Sequence, residues 1–224
     1  VLYQVLSAPD SVPAALRTWI KICGCTSWRE VSAAIDAGAD AIGMIFAPSP
    51  RRIKWDAARE VARKLPADIE PVAVFVDPST DEIDTVRMLF PSMSVQLAGN
   101  ETAEFVHRYG DRAIKVIHVA AGQDPSDVAD AVSLYWQALI LFDARVEGMQ
   151  GGTGKTFPWE SVAGISRQRQ VVVAGGLTAE NVGSCIRAVR PFGVDVRSGV
   201  ETDGRKDEAK MRAFVRAVQE ADDL

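Results

Sequence analysis

The stretch Trp19-Ile20-Lys21-Ile22-Cys23-Gly24 decides how this chain is read. Its apolar residues Trp19, Ile20 and Ile22 mark it as the first strand of a pattern that repeats toward the C-terminus, and it ends on a thiol followed by a glycine. Strand side chains alternate between faces, so Lys21 and Cys23 share the face opposite Ile22. An inward lysine and cysteine at one strand end call for an explanation. Burial as an inert structural residue is the ordinary fate of a lone thiol, and only the rest of the chain can decide against it.

From Thr18 onward a short β-branched run, a polar or glycine-bearing loop and an amphipathic stretch recur. The pattern predicts strands over Thr18 to Cys23, Asp40 to Phe46, Val72 to Val76, Ser94 to Leu97, Ala113 to Val119, Ala138 to Phe142, Gln170 to Ala174 and Gly193 to Arg197. Between and after them it predicts helices over Trp28 to Ala37, Asp56 to Lys64, Thr80 to Leu89, Ala103 to Tyr109, Pro125 to Trp136, Trp159 to Gly164, Ala179 to Val189 and Asp207 to Ala221. Ser27 with Glu30 three residues on has the form of a capping box. A strand followed each time by a helix implies parallel strands, and eight such units are the number that closes a barrel. The fold class is therefore α/β, a single (β/α)8 TIM barrel over residues 18–224; the competing arrangement is an open doubly wound sheet, which has fewer units. Residues 1–17, with Ser7, Pro9, Asp10, Ser11 and Pro13, read as an N-terminal extension or linker.

Composition narrows the function. With 30 acidic and 25 basic side chains the net charge is -5, so no basic field awaits nucleic acid and any bound anion must be held locally. Three cysteines and no signal-like start place the chain in a reducing cytosol, hence a cytoplasmic expectation. Cys23 and Cys25 have no second cysteine pair, and His107 and His118 stand far along the chain, so zinc spacing is not met. No apolar run approaches the roughly 18 residues of a membrane span.

Barrel chemistry sits at the C-terminal strand ends, and those positions here hold Cys23, residues 47–52, Asp77, Gln96, Asp143, Gly175-Gly176 and Ser198-Gly199. The run Gly151-Gly152-Thr153-Gly154-Lys155-Thr156 imitates a nucleotide-binding loop, but Met149 stands where its first glycine belongs, and the preceding strand ends about ten residues too early. A phosphate monoester held by backbone N–H groups is the better account. Glycines admit close approach to an anion, barrels often bind phosphate after strands seven and eight, and Gly152 and Gly154 would close the site formed by Gly175, Gly176, Ser198 and Gly199. The alternative is that these glycines only make tight turns.

At this point the motifs resemble a known family. Lys21-Ile22-Cys23-Gly24, the run from Asp36 to Phe46, Ala47-Pro48-Ser49-Pro50-Arg51, Val95-Gln96-Leu97, Gly151 to Phe157, Ala174-Gly175-Gly176-Leu177 and Val194-Asp195-Val196 with Ser198-Gly199-Val200-Glu201 together resemble phosphoribosylanthranilate isomerase of tryptophan biosynthesis. The resemblance implies an Amadori rearrangement of N-(5-phosphoribosyl)anthranilate to 1-(2-carboxyphenylamino)-1-deoxyribulose 5-phosphate, without cofactor or metal. It implies Cys23 as general base, Asp143 as general acid and Arg51 as the contact to the anthranilate part, with Gln96 and Asp195 completing the substrate-binding set. It also leaves room for fusion or association with another tryptophan-pathway enzyme.

The chemistry suits those residue types. Opening the furanose needs a proton on the ring oxygen, and the iminium so formed acidifies the C2 proton for a base. Asp143 must then hold its proton above the model value of about 3.9, whereas Cys23 must ionise below about 8.5, helped by Lys21 and nearby N–H dipoles. The competing role for Asp143 is to cap a turn or pair with Arg145. Because strand eight neighbours strand one in a closed barrel, inward Lys21 is expected to pair with Asp195, an inward charge requiring compensation. The chain departs from the family pattern at Ala98, where His is common, at Arg197, where Ser is usual, and in the loop before Arg51, which is one residue short and sets Arg51 against Arg52. Those departures keep open a catalytically altered or retired barrel that binds a sugar phosphate or a partner protein.

Overall fold

The structure, a computed structural model, describes residues 17–144 and 158–223. Strands β1 (Trp19–Cys23), β2 (Ala41–Ile45), β3 (Glu70–Phe75), β4 (Ser94–Leu97), β5 (Ala113–Val119), β6 (Leu139–Ala144), β7 (Val171–Val173) and β8 (Gly193–Val196) run parallel and close in chain order. Pairing of β8 back onto β1 through Trp19↔Gly193 and Lys21↔Asp195 excludes the open sheet. Helices α1 (Trp28–Ala37), α2 (Trp55–Lys64), α3 (Thr80–Arg87), α4 (Ala103–His107), α5 (Pro125–Ser133), α6 (Glu160–Ser166), α7 (Val182–Val189) and α8 (Glu208–Asp222) follow the strands in turn. Beyond β8 a short 3-10 turn (Ser198–Val200) leads to a two-stranded hairpin, β9 (Glu201–Thr202) and β10 (Arg205–Lys206).

Alternation along the strands builds two cores. Ile20, Ile22, Ile42, Met44, Ala73, Phe75, Ile140 and Phe142 join the shell cluster that receives the helices. Cys23, Ala41, Ile45, Val72, Val74, Ile114, Val116, Leu141 and Val172 form the smaller inner cluster. Each Val, Leu, Ile, Phe or Met among them stabilises the fold by about 1.5–3 kcal/mol when fully buried. Ile45, Val74, Val116, Leu141 and Ala174 also line the cavity at the strand ends. The inner packing therefore doubles as the site's apolar floor.

Three differences from the sequence reading have local causes. Strand β6 runs through Asp143 to Ala144, because the ladder with β5 continues as His118↔Asp143 and Val119↔Ala144. Helix α5 stops at Ser133 rather than Trp136, where hydrogen bonding tightens to Tyr135 N–H donating to Val132 O at 3.0 Å. At α1 only half the expected capping box forms. Ser27 Oγ accepts from Glu30 N, but the Glu30 carboxylate turns to Thr26, accepting from its N–H at 2.7 Å and its hydroxyl at 3.0 Å. A complete box stands instead at Ser79 and Glu82.

Candidate active site

One cavity opens over the C-terminal ends of the strands, and Cys23, Arg51, Gln96, Asp143, Gly175, Gly176, Asp195 and Ser198 all line it. Gly199 is placed differently: it packs against the Leu177 carbonyl, where any Cβ would collide, so it lets two loops touch. Gly152 and Gly154 lie outside the described residues, as does Arg145. Gly175 and Gly176 carry φ of +82° and +66°, a pair of left-handed residues that only glycine adopts without strain.

Cys23 ends β1 at 5% exposure, pressed on β2 at a position that must be glycine, since a Cβ on Gly43 would lie 2.6 Å from its sulfur. The backbone fixes this approach, with Gly24 N–H and Cys25 N–H both donating to Gly43 O at 2.8 and 3.1 Å. Two residues earlier, fully buried Lys21 places Nζ 2.9 Å from Asp195 Oδ2, the ion pair expected from barrel closure. The thiol itself departs from expectation. Burial pushes Cys23 above the ordinary thiol value; Lys21 and Lys206 pull it down, and Asp195 pushes it up, so the protonated form is favoured. Burial alone pushes the Cys185 thiol to about 12, and it dominates in taking Cys25 to about 12.

Asp143 meets the requirement for an acid. Burial raises its carboxyl above the ordinary range and the Asp195 charge adds to this, while His118, Arg197 and the Ala144 N–H pull the other way. Gly175 makes room for it, a Cβ there falling 2.7 Å from Asp143 Oδ1. Arg51 reaches the mouth from the loop after β2 and is already paired, 2.8 Å from Glu201 Oε1 and 3.5 Å from Glu30 Oε1. Its neighbour Arg52 is exposed on the rim. Gln96, 5% exposed, lines the cavity, and among the described residues its Oε1 has no hydrogen-bond partner.

A model of the N-(5'-phosphoribosyl)anthranilate isomerase family matches residues 20–217. The chain belongs to this family. An N-(5'-phosphoribosyl)anthranilate isomerase from Moorella thermoacetica is 42% identical over 205 residues, covering 91% of either chain. Among solved structures, the phosphoribosyl anthranilate isomerase from Thermotoga maritima superposes with a TM-score of 0.81 at 35% identity, covering 91% of this chain and 99% of its own. A phosphoribosyl anthranilate isomerase in complex with reduced 1-(o-carboxyphenylamino)-1-deoxyribulose 5-phosphate superposes at 0.78 with 33% identity, over 91% and 99% of the two chains.

Within this isomerase fold, several mouth residues escaped the sequence reading. Lys206, carried by the β9–β10 hairpin, donates to Arg197 O at 2.8 Å and to Glu201 at 2.9 Å, so Glu30, Arg51, Glu201 and Lys206 form an alternating row of charge. The Asp203-Gly204 pair at its tip, with φ of +48° and +70°, is a two-residue hairpin signal that could have found it. His118 also lines the cavity and sets Nε2 3.3 Å from the Ala98 carbonyl. A carbonyl only accepts, so Nε2 carries the proton. An imidazole thus reaches the end of β4 from β5, a placement that needs the strand register to be seen.

Proposed function

We propose that this chain catalyses the Amadori rearrangement of N-(5'-phosphoribosyl)anthranilate to 1-(2-carboxyphenylamino)-1-deoxyribulose 5-phosphate in tryptophan biosynthesis, with Asp143 as general acid and Cys23 as general base. The observation that carries the reading is that this thiol and this carboxyl line one cavity, from strands β1 and β6, which stand three places apart around the eight-stranded ring. Asp143 gives its proton to the furanose oxygen, the C1–O bond opens to an iminium, and the C2 proton, now acidic, passes to the Cys23 sulfur. The enolamine left behind becomes the ketone by proton shift, so the step is an isomerisation that needs no outside redox partner.

The remaining residues orient the substrate. Backbone amides about Gly175, Gly176 and Ser198, with Gly152 and Gly154, hold the phosphate. Arg51 meets the anthranilate carboxylate with a guanidinium pre-oriented by Glu201 and Glu30, which favours it over the exposed Arg52. Gln96 and Asp195 take the sugar hydroxyls.

Turnover of freshly made phosphoribosylanthranilate, followed by loss of its fluorescence, tests the assignment. Cys23→Ala and Asp143→Asn should each lower kcat by about 10²–10⁴-fold, the usual contribution of a positioned acid or base, while the reduced product analogue still binds. An active Cys23→Ala enzyme would remove the base.

A further inference from the structure

The proposed base must be an anion when it acts, yet the open site favours its protonated form. Among the described residues, the groups whose charge reaches the sulfur are Lys21 on its own strand, Asp195 on β8 and Lys206 on β10; β2 presents Gly43 to it. Lys21 and Cys23 occupy alternate positions on one strand face, and Lys21 is in register with Asp195. The Lys21–Asp195 contact is close at 2.9 Å but its angle misses good hydrogen-bond geometry, the ammonium is also within reach of the Cys23 sulfur, and among the described residues Asp195 Oδ1 has no hydrogen-bond partner. A buried ammonium has three donors to place. Leaving them and a carboxylate oxygen uncommitted is costly unless a third group completes the set.

We propose that Lys21 is a positioning residue for the base: its ammonium is shared between Asp195 and Cys23, and a substrate hydroxyl donated to Asp195 Oδ1 tips the share toward the sulfur. The thiolate then forms with substrate in place, its proton passing to water through the mouth, and the sulfur next takes the C2 proton. Asp195 is thereby both the hydroxyl receptor and the brake on the thiol. The inference rests on Cys23 being the base, but its test reads the sulfur directly.

Thiolate ultraviolet absorbance against pH, taken as the difference from Cys23→Ser, gives the Cys23 midpoint, and iodoacetamide labelling located by mass spectrometry gives it independently. Cys25 and Cys185, held at about 12, do not intrude. Asp195→Asn, which leaves Lys21 with the sulfur as its nearest counter-anion, should lower the midpoint by about one unit or more. Lys21→Met should raise it, and Lys21→Met/Asp195→Asn should cancel the fall. The reduced product analogue should lower the midpoint of the unmodified protein, a measurement that needs no variant to fold. An unchanged or raised midpoint in Asp195→Asn, or no fall on adding the analogue, overturns the inference. Full turnover by Cys23→Ala with these shifts intact would instead overturn only the base assignment.

Discussion

Among the described residues, two lysine–carboxylate pairs are buried, and they are built to opposite specifications. Lys115 Nζ donates to Glu101 Oε2 and to Gly99 O, both at 2.6 Å, and lies 3.4 Å from Leu97 O. Glu101 in turn accepts from Asp77 N–H and Gly99 N–H at 3.0 Å each. That pair is saturated, and it ties the ends of β3, β4 and β5 together. The Lys21–Asp195 pair is equally buried but, among the described residues, leaves hydrogen-bonding capacity on the ammonium and one carboxylate oxygen unmet, and it shares the mouth with a thiol. Saturation marks a group whose task ends with folding; unmet hydrogen-bonding capacity marks one that waits for a ligand.

Breaking the saturated pair should have the largest effect on stability. Lys115→Met leaves Glu101 charged and buried at 1% side-chain exposure, a loss of about 3–5 kcal/mol read from urea unfolding, with turnover per folded molecule retained. Removing both partners sharpens the contrast. Lys21→Met/Asp195→Leu should fall within about 1 kcal/mol of the parent or above it, since an unsaturated buried pair offsets little of its desolvation. Lys115→Met/Glu101→Leu should keep a deficit of about 2 kcal/mol or more, because the Asp77 and Gly99 amides and the Gly99 carbonyl lose their partners. Equal losses in the two double variants would erase the distinction between the pairs.

The contrast was half legible in the sequence. Lys21 against Asp195 follows from counting eight strands and closing the ring, which needs only period-two alternation and the rule that β8 borders β1. Strands whose β-branched runs end in clear breakers, Ser94–Leu97 and Ala113–Val119, and the helix Trp28–Ala37 have the bounds their pattern dictates. Asp143 looked like a loop residue because aspartate is poor in strands, whereas the ladder to His118 holds it inside β6. Lys115 hid within an apolar strand, since its partner Glu101 comes from a loop no periodicity describes. The protonation of Cys23 was beyond the sequence, because burial and the Asp195 charge act against Lys21 and Lys206 across distances that only the fold supplies.

Asp143 extends the comparison to the acid, with the smallest expected effect. Its folded carboxyl titrates above the ordinary range, burial being the largest cause. Between the unfolded value of about 3.9 and that raised value, the unfolded chain ionises while the folded site keeps its proton. The folded state then binds more protons, so stability falls as pH rises through this window. Below the unfolded value both states are neutral and the penalty is absent. Asp143→Asn cannot ionise, so it should match the parent near pH 3.5 and gain on it toward neutrality, with about 2–4 °C in Tm for each kcal/mol of penalty removed. Inactivity accompanied by that gain would make Asp143 a carboxyl kept in place at the expense of the fold, as Lys21–Asp195 is and Lys115–Glu101 is not. A Tm difference that stays flat with pH would instead place Asp143 with the saturated groups.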